Sequence, residues 1–175
     1  MVKQFTLDFK LSPDAVFSNY VGDAAEKIGR GNAWQYLWGR KGSGRSHLLQ
    51  AACQETEGSI YLSELKRLSP EVLRDLENMP LICLDDIDAI LSQTEWEEAL
   101  FHLMNGVKDR GGRLLVAAEA PSSQQNIKLA DLKSRLNSAS AIETDQLNDN
   151  QKIRVLVQRA RHWGFDLSED VGRFI

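Results

Sequence analysis

Eight consecutive residues, Gly39-Arg40-Lys41-Gly42-Ser43-Gly44-Arg45-Ser46, have the types and spacing to bind phosphate. They fit the loop G-x-x-x-x-G-K-[ST] at every fixed position except the lysine, which is Arg45. Glycines let the backbone curl so that successive N–H groups face phosphate oxygens, and the N-terminus of a following helix adds partial positive charge. The expected cradle is Gly39, Gly42, Ser43, Gly44, Arg45, Ser46 and His47. Arg45 keeps the positive charge but replaces a compact ammonium with a planar fork, so phosphate binding is expected to survive better than fast hydrolysis. The competing reading is an ordinary glycine-rich turn carrying a surface arginine.

A second group carries the complementary chemistry. Leu81-Ile82-Cys83-Leu84 is a continuous apolar run that ends in Asp85-Asp86, about 40 residues after the loop. Acids at the carboxyl end of a buried strand form the other half of a nucleotide site. Asp85, with the Ser46 hydroxyl, is expected to hold Mg²⁺ directly or through water, and Asp86 to orient or deprotonate the attacking water. Asp88 is expected to be solvated or capping. The bland alternative for the pair is a solvated strand end.

These groups need a strand, a turn and a helix to position them, and the flanking residues supply them. Trp34–Trp38 reads as a strand into the loop, and His47-Leu48-Leu49-Gln50-Ala51-Ala52-Cys53 as the helix after it. A helix over Asp23–Gly29 precedes them. Further strands are expected at Ser59–Leu62, Leu81–Leu84, Leu114–Ala118 and Ala141–Glu143. Helices are expected after Ser63 and from Pro70 to Pro80, then at Glu95–Val107 and Ala130–Leu136. This βα alternation predicts an α/β fold, a five-stranded parallel sheet with helices on both faces. The segment Val16–Asp23 reads either as a cover for a nucleobase or as a packed N-terminal wrap. Asp149 is a candidate N-cap for a helix bearing Ile153, Leu156, Val157 and Ala160, stopped at Gly164. The expected organisation is an N-terminal segment over 1–22, a nucleotide-binding base domain over 23–145, and the start of a helical lid over 146–175. Val171, Phe174 and Ile175 lack the remaining turns of their face, so the natural protein is expected to continue.

Composition narrows the function classes. Hydrophobic residues make up 42% and charged residues 26% of the 175 residues, as in water-soluble globular chains. A formal net charge of -4 argues against broad, nonspecific nucleic-acid binding, so direct DNA contact is not expected. Cys53 and Cys83 sit in apolar runs without metal-ligand spacing and read as buried free thiols. No signal peptide or membrane-length apolar stretch is present, and a cytoplasmic protein is expected. Gln4-Phe5-Thr6-Leu7-Asp8-Phe9 alternates apolar and polar residues, fitting an edge strand or an extended peptide with Phe5, Leu7 and Phe9 as anchors.

The phosphate loop, the Asp85-Asp86 strand end and Leu132-Lys133-Ser134-Arg135-Leu136 together resemble the DnaA/Hda group of bacterial replication-initiation AAA+ proteins. So do Gly44-Arg45-Ser46-His47-Leu48-Leu49, with arginine at the lysine position, and the tail Trp163–Phe174. The resemblance implies an AAA+ fold, ADP or ATP with Mg²⁺ as cofactors, and two partners, DnaA and the DNA polymerase III sliding clamp. Gln4, Phe5, Leu7 and Phe9 are the implied clamp contacts. Arg135 is the implied arginine finger, acting in trans on ATP held by DnaA, whereas spacing alone would make it a solvated helix-end arginine. Where the group often places a polar sensor of the γ-phosphate, the fourth strand ends in Ala117-Ala118-Glu119. The resemblance therefore implies a regulator of initiation with weak or no turnover of its own. Two alternatives remain: an ATPase that loads or remodels replication proteins, and a nucleotide-free adaptor bridging clamp and DnaA.

Overall fold

The computed structural model describes residues 11–28, 33–144 and 147–168. The hexapeptide Gln4–Phe9 and the tail beyond Ser168 lie outside them. Five strands, β1 (Trp34–Trp38), β2 (Ile60–Leu62), β3 (Leu81–Leu84), β4 (Arg113–Ala118) and β5 (Ser140–Glu143), form one sheet in the order β2-β3-β4-β1-β5. All four strand pairings are parallel, so each strand ends at the same edge of the sheet. The expected parallel α/β architecture is observed.

Alternation along each strand divides the core in two. Trp34, Tyr36, Ile82, Leu84, Leu114 and Val116 face α3 (Thr94–Arg110) and α4 (Ala130–Ser138). Leu37, Leu81, Cys83, Leu115 and Ala117 face α1 (Ala24–Lys27) and α2 (Arg45–Gln54). A strand buried on both sides cannot alternate apolar with polar, which is why β3 and β4 read as unbroken apolar runs. Cys53 and Cys83 are buried free thiols, as expected.

Three local expectations are corrected. Between β2 and β3 the chain makes not α-helices but three 3-10 turns, at Leu65–Arg67, Pro70–Leu73 and Leu76–Asn78. Glu64 and Asp75 adopt left-handed conformations, φ 53° and 65°, which interrupt any continuous helix while Leu65, Leu73 and Leu76 reach the core. The N-cap of α5 (Asp149–His162) is Asn148 instead of Asp149: its side chain accepts from Gln151 N–H, and the Gln151 side chain accepts in return from Asn148 N–H. Asp88 is only partly solvated: the residue is half-buried, and its Oδ1 is buried without a hydrogen-bond partner.

One buried acid joins the helices. Glu97 of α3 is 1% exposed, and its carboxyl oxygens accept from the backbone N–H groups of Ser92, Lys128 and Leu129 at 2.7–3.1 Å. Lys128 and Leu129 lead into α4, so this one side chain sets where α4 begins against α3. Glu97→Ala leaves those donors without their acceptor and is expected to lower the urea-unfolding free energy by about 3 kcal/mol. Glu97→Gln, which keeps one acceptor oxygen, is expected to lose less.

Candidate phosphate-binding site

The loop Gly39–Ser46 leaves the carboxyl end of β1 and enters α2, as the motif requires. Its base is fastened to β5. Thr144, the residue after β5, shares a 2.6 Å hydrogen bond between its hydroxyl and that of Ser43, and both its hydroxyl and its N–H donate to the Trp38 carbonyl at 3.1 and 2.8 Å. Gly39 lies so near Thr144 that a Cβ there would overlap the threonine hydroxyl and approach its carbonyl to 2.8 Å. Gly44 caps α2 in a left-handed conformation, φ 92°, with the Tyr20 ring against it. Thr144 had no signal in the sequence, because its partners are about 100 residues away.

The helix terminus is open toward phosphate. The first intrahelical bond of α2 runs from Leu48 N–H to the Gly44 carbonyl at 2.9 Å, so the N–H groups of Arg45, Ser46 and His47 precede it. Ser46 is exposed on the first turn. The His47 ring is engaged elsewhere: Nε2 lies 2.8 Å from the Val16 carbonyl, to which a neutral ring protonated at Nε2 donates. The residues before α1 therefore pack as a wrap on α2, reinforced by Ser12 N–H donating to Gln50 and by Gln54 donating to the Ser12 and Ala15 carbonyls, each at 2.8 Å. Of the two readings left open for this segment, the packed wrap is observed, with Tyr20 beside the loop.

Arg45 and the strand-end acids come together. Arg45 is only 7% exposed, and its Nη2 lies 3.1 Å from Asp86 Oδ1, whose side chain is 58% exposed. Its other terminal nitrogen, Nη1, is buried without a partner. Asp86 has left-handed backbone angles, φ 48° and ψ 49°, unusual for a residue other than glycine. Burial, and next the Asp85 charge, raise the Asp86 carboxyl above the ordinary aspartate range, and Arg45 offsets this only in part. Asp85 itself is buried, accepting from Asp86 N–H at 3.0 Å and from the Tyr61 hydroxyl at 2.7 Å. Burial and the Asp85 charge push the Tyr61 phenol well above its usual range, so it remains a donor.

These features fit a polyphosphate. A row of helix-terminal N–H groups, a guanidinium with an unused buried donor, and open space at Gly42, where a Cβ would meet nothing within 4 Å, suit an anionic chain. Ser46 and Asp85 are the side chains that would hold a phosphate-borne cation. Among the described residues no cluster of three or more His, Cys, Asp or Glu side chains is arranged for a metal by itself.

Arg135 is elsewhere. On α4, its guanidinium carbon lies 5.3 Å from the Trp34 ring centre and 5.0 Å from that of Phe101. Trp34 is the first residue of β1, whereas the phosphate loop follows the last, so roughly 13 Å of strand lies between them. It is half-buried against two rings, where spacing alone suggested a solvated side chain.

No family model matches the chain. Solved structures do. Domain III of the replication initiation protein DnaA from Thermotoga maritima is 20% identical over 94% of this chain and 81% of that chain, with a TM-score of 0.76. AMPPCP-bound DnaA from Aquifex aeolicus is 19% identical over 95% of this chain, with a TM-score of 0.74; this chain spans 61% of its length. DnaI is 19% identical over 71% of this chain and 80% of that chain, with a TM-score of 0.53. The fold these share with the present chain is the AAA+ fold.

Two outcomes follow from this geometry. Gly39→Ala is expected to abolish binding of inorganic tripolyphosphate in calorimetry, because its Cβ displaces Thr144 and with it the Ser43 end of the loop. For His47, burial is the largest effect and lowers the pKa below the usual 6.5. As pH falls through about 6.5 the unfolded chain takes up a proton that the folded chain does not, so stability is lost from there down to the folded pKa. Urea denaturation between pH 7.5 and 5 should show this decline in the wild type and a flatter profile in His47→Gln.

Proposed function

We propose that this AAA+ chain is a regulator of bacterial replication initiation of the Hda type, which holds ADP in its own loop and stimulates hydrolysis of ATP bound to DnaA. The observation that carries the reading is the position of Arg135 at the end of β1 remote from its own phosphate loop. An arginine there cannot serve its own nucleotide, and it lies on a helix close to the surface, where a neighbouring subunit's phosphate would meet it. The likeness to DnaA domain III supports a partner of the same fold, and the Aquifex relative is described as AMPPCP-bound, which supports an adenine nucleotide here.

In this reading the phosphates are held by the N–H groups of Arg45, Ser46 and His47, by Arg45, and by the turn through Gly39, Gly42, Ser43 and Gly44. Ser46 and Asp85 would hold Mg²⁺, which would supply charge neutralisation to the phosphates. Asp86 is tied to Arg45 and is less free to act as a base. Ala117, Ala118 and Glu119 offer no short polar side chain at the end of β4. Both features favour retention of nucleotide over turnover. Arg135 then supplies positive charge to the phosphate transferred on DnaA. Gln4, Phe5, Leu7 and Phe9 are proposed to dock on the sliding clamp, which would confine the activity to replicating cells. The base domain is taken as 23–145 and α5 as the first helix of the lid.

The test uses full-length protein, clamp and DnaA loaded with labelled ATP. Arg135→Ala is expected to reduce stimulated hydrolysis on the order of 10³-fold while leaving ADP affinity and clamp binding at wild-type values. Wild-type stimulation by this variant would sink the reading. Intrinsic turnover that Asp86→Asn abolishes would favour a loading or remodelling ATPase, and clamp binding without nucleotide heat would favour an adaptor.

A further inference from the structure

Trp34 is a large aromatic at the start of a central strand, remote from the phosphate loop. Its indole Nε1–H donates to the Met104 carbonyl of α3 at 2.9 Å, and the residue is 8% exposed. Position and ring plane are therefore fixed by strand pairing on one side and by a buried hydrogen bond on the other. Against this fixed ring lies the Arg135 guanidinium at 5.3 Å, with Phe101 at 5.0 Å as a second wall. Lys108 Nζ also lies 5.5 Å from the indole. A guanidinium stacks on aromatic faces through its planar, weakly hydrated charge, and tryptophan is the strongest partner for it.

The other hold on Arg135 is its helix. α4 is placed by Glu97, which accepts from the N–H groups of Lys128 and Leu129, but that contact fixes the beginning of the helix and not a long side chain near its end. No salt bridge to Arg135 is found among the described residues. An acidic partner would neutralise its charge, whereas a ring orients it and leaves the charge in place. We infer that Trp34 is a positioning residue, a fixed aromatic platform that orients the Arg135 guanidinium toward an anionic phosphate presented by a partner. The inference rests on the reading of Arg135 as a finger acting in trans, and its test separates the two.

The first measurement needs no substitution. In the full-length protein, the Arg135 Nε–H and Cδ–H protons should be shifted upfield by ring currents in NMR spectra, assigned by their loss in Arg135→Lys. Their appearance at random-coil positions would overturn the inference. Trp34→Phe, which keeps an aromatic face, should retain most of the shift and stimulate hydrolysis of DnaA-bound ATP within about threefold of wild type. Trp34→Leu, which keeps apolar bulk without a ring, should lose the indole part of the shift and reduce stimulation about tenfold through the rate at saturating DnaA, with ADP affinity and clamp binding unchanged. Equal stimulation by the leucine and phenylalanine variants would overturn it. If Arg135→Ala stimulates as wild type does, the finger reading fails, and with it the purpose of the platform, while the ring-current shift still reports whether the stacking exists.

Discussion

The structure depends on β1 being paired on both sides. Lying between β4 and β5 and buried on both faces, this five-residue strand is held by its neighbours on either side. What leaves its carboxyl end inherits that rigidity: the phosphate loop begins one residue on, and Thr144 binds the loop to the neighbouring strand end. What flanks its amino end inherits it too, because Trp34 is held by the same pairing and stacks on Arg135. The two groups of proposed function are thus connected by one short rigid rod and point to different places.

Much of this was legible in the sequence wherever the signal is local. A glycine-spaced loop between an apolar run and a helical one states its own conformation, and Leu81–Leu84 is an apolar run of the kind buried on both faces of a parallel sheet. Legibility failed where a partner distant in sequence decides the outcome. The stretch after Ser63, with Pro70 as a helix start and Pro80 as a stop, reads as helical, yet left-handed residues at Glu64 and Asp75 break it into turns that serve the core and not a helix. Thr144 and Glu97 carry hydrogen bonds that organise the loop and α4, but an isolated threonine or glutamate is indistinguishable from a surface residue until its partners are known. Arg135 gave a motif-based expectation of role, but spacing alone suggested a solvated side chain because Trp34 and Phe101 are distant in sequence.

The Arg45–Asp86 contact bears on why this loop departs from the usual lysine. A lysine ammonium is a flexible point charge, whereas a guanidinium offers several donors in a fixed plane. In a nearly buried position the fork can meet the strand-end acid with one arm and keep another for an anion. The same contact ties the first residue of α2, where the loop after β1 ends, to the residues after β3. The left-handed backbone at Asp86 is the local strain that brings its carboxyl within reach.

The contact of Arg135 with two rings also has a consequence for entropy. A free arginine samples many rotamers, and ordering it on association opposes binding by about 1–2 kcal/mol. Held against Trp34 and Phe101, the side chain gives up that freedom when the chain folds. An anion that reaches it meets a charge already oriented, so little further ordering of this side chain opposes the encounter.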